Sequence, residues 1–263
     1  MDCELKQIIK DYIDEFNQAN ENPILKNYVV PSSIPIIWFG NIEKYRSSSL
    51  KIVTVGLNPS CSEFLNDQKQ LLPFQSRRFE RIDLSHYDDI RINALYNTLN
   101  KYFDVNPYRH YFDQYNELLK GINASYFRNK AINTAIHIDV YSAIATDPIF
   151  GKLDKKVQAA LKIRGKELYK KLINYLNPDI ILFSAGQDIF YDLYADWQLL
   201  EQQEFTKGVF INIYRNSSVS STEKSCLLLH GRNFHGTPFG GTTRETAKCT
   251  IQEFVEKHTA SKF

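Results

Sequence analysis

The run Gly56-Leu57-Asn58-Pro59-Ser60 has the parts needed to hold an amide rigidly beside a reacting water. Glycine lets the chain turn off a preceding strand, while Pro59 fixes its own backbone and pushes Asn58 toward an extended conformation. The same run also reads as an ordinary Asn-Pro turn. A second polar group, His137 with Asp139, is embedded in the apolar segment 131–141. Residues two apart on a strand face the same way, so this pair presents an imidazole and a carboxylate together. A third, His230, ends an apolar run and precedes the glycine-rich stretch 231–241. Imidazole and carboxylate also suit metals, so His137, Asp139 and His230 allow a metal-dependent hydrolase as an alternative. No further ligand is evident, and no metal or other cofactor is expected.

These groups need elements to position them. Residues 50–56 form a short β-branched run ended by glycine, and Ile180 to Ser184 form a second apolar run; both read as buried strands. Gly208 to Tyr214 and Ser225 to His230 read as two more. Leu5, Ile8, Ile9, Tyr12, Ile13 and Phe16 recur at helical spacing over Cys3 to Gln18. Helical stretches are also expected over 88–103, 108–119, 154–175 and 243–257, with Pro178 closing the one at 154–175. The alternation predicts an α/β fold: a three-layer α/β/α sandwich with a central, mostly parallel, twisted sheet of about four strands. Ligands in such sheets bind beyond the carboxyl ends of the strands, where Asn58, His137, Asp139 and His230 all fall. The loop 57–86, with Pro73-Phe74 and Arg77-Arg78-Phe79, has the length of a functional or mobile loop.

Composition narrows the class. The 263 residues, 43% of them apolar, suffice for one large domain with a substantial core. The four cysteines lack metal-site spacing and read as unpaired thiols of a reducing compartment. No apolar stretch long enough to span a membrane is present, and the N-terminus lacks signal-peptide patterning, so a cytoplasmic location is expected. A net charge of +2 neither supports nor excludes nucleic acid.

Val55 to Ser60, VGLNPS, resembles the first motif of the uracil-DNA glycosylase superfamily, nearest its mismatch-specific uracil/thymine branch. That branch carries Gly-Ile-Asn-Pro-Gly here, then Pro-Phe-Ala and Arg-Phe-Trp; this chain has Pro73-Phe74-Gln75 and Arg78-Phe79-Glu80. The passage 165–186 resembles the family's helix, proline, apolar strand and glycine, and His230 stands where its second motif begins. The resemblance covers roughly 49–258 and leaves 1–48 as an N-terminal helical extension to a single glycosylase-like domain at 49–263.

The resemblance implies a monofunctional DNA glycosylase, a monomer with DNA as its partner, that removes a flipped-out base and leaves an abasic site. Asn58 would orient the attacking water and His230 would donate a hydrogen bond to the departing base. Gly56, Leu57, Phe74, His137 and Asp139 would form the base pocket, with Phe74 stacking on the extruded base. Ser60, Arg78, Arg232, Asn233, Phe234 and His235 are the implied DNA contacts. The second motif departs from the family pattern, since 230–240 lacks the Ser and Leu that clamp phosphate and fill the emptied stack. Phe234 or Arg232 is left as the wedge, with core packing an equal reading for Phe234, and His235 reads as a phosphate contact, a spare catalytic group or a loop residue. Asp139 stands where the uracil-specific branch has an Asn, which favours a base edge rich in N–H donors, a modified cytosine or damaged purine, over plain uracil. Asp139 as a simple loop anchor stays open. So does a glycosylase fold that has lost catalysis and only binds DNA.

Overall fold

The computed structural model describes residues 1–127, 131–216, 225–234, 236 and 239–259. In chain order the helices are α1 (Cys3–Glu21), α2 (Ile42–Ser47), α3 (Asp89–Asn100), α4 (Tyr102–Val105), α5 (Arg109–Leu119), α6 (Lys155–Leu176), α7 (Gln187–Tyr194) and α8 (Gly241–Thr259). The strands are β1 (Ile52–Gly56), β2 (Ala124–Ser125), β3 (Asn133–Asp139), β4 (Ile180–Phe183), β5 (Gln198–Thr206), β6 (Val209–Arg215) and β7 (Leu227–His230). They form one seven-stranded sheet in the order β2-β3-β1-β4-β7-β6-β5.

The sheet is mostly parallel. β1 pairs with β4, β4 with β7 and β2 with β3 in parallel, while β5–β6 and β6–β7 are antiparallel. Every residue of β1, β4 and β7 is buried, the reason these strands read as mostly apolar runs rather than alternating ones. Seven strands replace the expected four or so. β2 has only two residues, and the β5 sequence QLLEQQEFT is largely exposed and carries no alternation. Thr206 pairs with Val209 across Lys207-Gly208, and Gly208 takes φ +77°, so a two-residue hairpin turn joins β5 to β6.

The described chain divides into two compact units. The first comprises Met1–Asn41, Gly56–Tyr108 and His137–Leu176; the second comprises Ile42–Val55, Arg109–Ile136 and Asn177–Phe263.

In the first unit α1 packs on α6 and α3. Asp2 caps α1 by accepting from the Leu5 N–H at 2.9 Å, and the buried stripe runs Leu5, Ile8, Ile9, Tyr12, Ile13, Phe16. Lys171 of α6 donates to Asp11 of α1 at 2.8 Å. Gly165 of α6 lies flush against the segment after β3, since a Cβ there would sit 1.7 Å from the Tyr141 carbonyl oxygen.

In the second unit α5 packs on α8, and Arg244 donates to the Gln114 carbonyl at 2.7 Å. Thr54 of β1 and Tyr126 share a buried hydroxyl–hydroxyl hydrogen bond of 2.5 Å. All four cysteines are free thiols. Among the described residues no helix is long and apolar enough to cross a membrane.

Candidate functional site

In the first unit the chain leaves β1 at Gly56 and keeps pairing: the Gly56 carbonyl accepts from Val140 N–H at 3.1 Å and that of Leu57 from Tyr141 N–H at 2.9 Å. Gly56 is not among the positive-φ glycines, so its place is that of a buried strand end and not of a left-handed turn. Leu57 and Asn58 form the bend, both half-buried. The Asn58 amide donates to the Ile144 carbonyl at 3.3 Å and to Thr146 Oγ1 at 3.1 Å. A carbonyl only accepts, which fixes which end of the amide faces Ile144. Asn58 Oδ1 is left as the atom with no partner among the described residues.

The loop that follows is anchored. Ser60 bridges to Thr146, and its hydroxyl accepts from Ser62 N–H at 3.1 Å, capping the 3-10 turn Cys61–Glu63. Cys61 and Leu65 pack with Val30 and Ala145 in a small apolar cluster. A buried polar network, absent from the sequence reading, ties the loop down further on. Glu63, 4% exposed, accepts from the Tyr102 hydroxyl at 2.8 Å and lies 3.5 Å from Arg78 Nε. The Tyr102 hydroxyl in turn accepts from Tyr108 N–H at 2.9 Å. Burial pushes the Glu63 carboxyl up to about 7, against the lowering influence of Arg78 and Tyr102. Arg78 also donates to the carbonyls of Ser62 and Asn106 and lies over the Tyr108 ring, so its guanidinium is largely taken up inside the protein. The one sequence sign of this network is a Glu fourteen residues before the Arg77-Arg78 pair, which many surfaces share.

His137 and Asp139 do face the same way. Both are buried, with His137 Nε2 3.6 Å from Asp139 Oδ1, and His137 exchanges both backbone hydrogen bonds with Phe39. Phe74 stands elsewhere in character: its ring is 78% exposed on the 3-10 turn Phe74–Ser76, with the Arg77 guanidinium 5.4 Å from its centroid. With the ring this exposed among the described residues, a base stacked there would be held on one face.

In the second unit His230 is 0% exposed at the end of β7. Its ring stacks on Phe190 at 4.8 Å and 13°, with Phe183 and Phe210 also within aromatic contact. Nε2 lies 3.0 Å from the Ala185 carbonyl, which can only accept, so Nε2 carries the proton. Nδ1 is buried without a partner among the described residues. Burial holds the His230 imidazolium below its ordinary range, although the Ala185 contact works the other way. A neutral ring in this arrangement has no N–H left for a departing base, so the expected donation does not fit the ring as it stands.

Phe234 is fully buried. It packs on Phe239 and Tyr115, and its N–H donates to Ser184 Oγ at 3.0 Å. Of its two readings the structure supports core packing over a wedge. Arg232 and Asn233 are exposed, Asn233 with φ +58°. His235 lies outside the described residues. No three His, Cys, Asp or Glu side chains among the described residues cluster as a metal site requires, so the hydrolase alternative lacks a ligand set there. Compared with known proteins, the chain matches no family model, no curated protein and no solved structure.

Proposed function

We propose that this protein is a DNA glycosylase of the uracil-DNA glycosylase type, hydrolysing the N-glycosidic bond of a flipped-out base and leaving an abasic site. The observation that carries this reading is the Asn58 amide, locked by Ile144 and Thr146 with only Oδ1 unspent. An acceptor fixed in this way accepts a hydrogen bond from one O–H of a water and so aims a lone pair of that water at the sugar C1′. The C1′–N bond breaks as the water oxygen bonds to C1′, and the water's proton leaves with the base or to solvent. An amide is a weak base, so the transition state must be mostly oxocarbenium-like, with the bond to the base broken early.

The reading carries with it the three-layer α/β/α arrangement, DNA as partner, a monomer, and work in the cytoplasm. It makes Asp139 the selector of a base edge rich in N–H donors, so that plain uracil is a poor substrate and a modified cytosine or damaged purine a better one. An Asp139→Asn variant that removes the preferred base as fast as the parent ends that part of the reading.

A second reading, a DNA-binding module without catalysis, draws support from His230, whose ring is sealed and whose N–H is taken. The two separate on one assay. Oligonucleotides carrying uracil, mismatched thymine, hypoxanthine, xanthine or hydroxymethylated or glucosylated cytosine are incubated with the protein and treated with hot alkali. Strand cleavage at one base, lost in Asn58→Ala, is the glycosylase result. Salt-dependent DNA binding with no cleavage anywhere is the binding-module result.

A further inference from the structure

Three arginines fall within five residues of the first unit, and only one is consumed by the protein. Arg78 is held by Glu63, Ser62 and Asn106. The side chains of Arg77 and Arg81 form no hydrogen bond or ion pair among the described residues, where Arg77 Nε is buried without a partner. All three line one small cavity of about 20 Å³, which has room for a single water-sized group such as one phosphate oxygen. Glu63 and Glu80 line it too. Glu63 is bound to Tyr102 and sits beside Arg78, so it does not neutralise the other two arginines. Beside this cavity stands Phe74, 78% exposed, with Arg77 near its ring at 5.4 Å from the centroid.

An uncovered aromatic beside unspent guanidinium groups is the chemistry of a nucleic-acid strand. The ring offers a stacking platform to any base, and the guanidinium fork matches phosphate oxygens. A peptide acid would use the arginines but leave the ring idle; an apolar ligand would do the reverse. We propose that Phe74, Arg77 and Arg81 form a seat for one nucleotide of a DNA strand, with its base on Phe74 and its phosphodiester between Arg77 and Arg81. This moves Phe74 from the pocket of the extruded base to the path of the strand. It rests on the glycosylase reading only for the choice of DNA as the polymer. Arg81 and Ser32 also line a neighbouring open cavity of about 590 Å³, in which the buried Ser33 hydroxyl has no partner. The next nucleotide of the strand has space to enter there.

The test is fluorescence anisotropy of the full chain with a labelled single-stranded 12-mer and its duplex across 50–200 mM salt. The expected result is that Arg77→Ala and Arg81→Ala each weaken binding about five- to twentyfold and reduce the log–log salt slope by about 0.7–0.9. Phe74→Ala is expected to weaken binding about tenfold with the slope unchanged. Because these side chains are exposed or unpartnered, melting temperatures should stay at the parent value, and Arg81→Glu serves as a stronger second variant. A parent that binds no DNA overturns the seat. So does a parent whose affinity and slope survive all four substitutions, or one displaced as readily by polyglutamate as by unlabelled strand. Failure of the glycosylase reading looks different: no abasic sites form from any base while the variants still lower affinity. Abasic sites made as fast by Arg77→Ala and Arg81→Ala as by the parent, at subsaturating DNA, sink the seat and spare the glycosylase.

Discussion

Asn58 and His230 both sit at the carboxyl ends of parallel strands, two residues beyond β1 and at the last residue of β7, yet their surroundings make them opposites. The Asn58 amide is half-buried, its two donors spent on Ile144 and Thr146 and its oxygen unspent. His230 is fully enclosed by aromatic rings, its one donor spent on Ala185 and its lone pair sealed away. Position in an α/β sheet selects where polar groups collect. Whether such a group can act depends on which atom is left over and whether a ligand can reach it. By that measure Asn58 keeps an acceptor unspent, whereas His230 holds β7 against the segment after β4.

The sharpest way to break this contrast is His230→Ala. It opens a cavity among Phe183, Phe190 and Phe210 and orphans the Ala185 carbonyl, at an expected cost of about 3–5 kcal/mol. Thermal unfolding should show a fall of about 6–15 °C for a chain of this size. A variant that melts like the parent would mean the ring is not structural. Next comes Asn58→Ala, expected to lower abasic-site formation by about a hundredfold or more while moving the melting temperature by under about 2 °C. Equal activity would remove Asn58 from the chemistry.

Stability against pH sharpens the comparison further. His230 has its folded pKa lowered, so the unfolded chain takes up the proton first and stability is lost as pH falls below the ordinary histidine range. Glu63 and Glu15 behave conversely. Burial raises them from 4.5 to about 7 and about 8, so the folded chain holds protons that the unfolded chain has released, and stability is lost as pH rises from about 4.5 toward 8. Chemical unfolding from pH 5 to 8.5 should show Glu15→Gln flattening the alkaline limb and His230→Phe the acid limb. An unchanged slope in either variant removes that group from the titration. The smallest effect is expected from Thr146→Val, which removes one of the two acceptors fixing Asn58. About three- to tenfold in the cleavage rate is expected, with substrate affinity unchanged; a matching loss of affinity would make Thr146 part of binding instead.

Much of this molecule was legible beforehand, and the parts that were not share a cause. β1, β4 and β7 announce themselves because strands in which every residue is buried are mostly apolar. α1 and α6 fall within a few residues of their expected spans, since a helix buried on one side cannot hide its period. β5 escaped because an exposed strand answers to solvent on most of its positions, and only the Lys207-Gly208 turn, flanked by the β6 run, could have given it away. Among the functional candidates, His137 and Asp139 share a face as their spacing requires. Glu63 was invisible: an acid in sequence reads as solvated until the fold surrounds it. Phe234 illustrates the reverse. Its loop context allowed a wedge, and only the packing of Phe239 and Tyr115 around it assigns it to the core.

The anchors of Asn58 lie 86 and 88 residues further along the chain. Contacts this distant in sequence require a long loop to close, at an entropic cost that grows slowly with its length. A nascent chain therefore carries its Asn-Pro bend long before it carries a fixed amide, and no ribosome-bound fragment ending before Thr146 can assemble the complete tie. The two-bond tie on Asn58 arrives only once that distant segment has emerged.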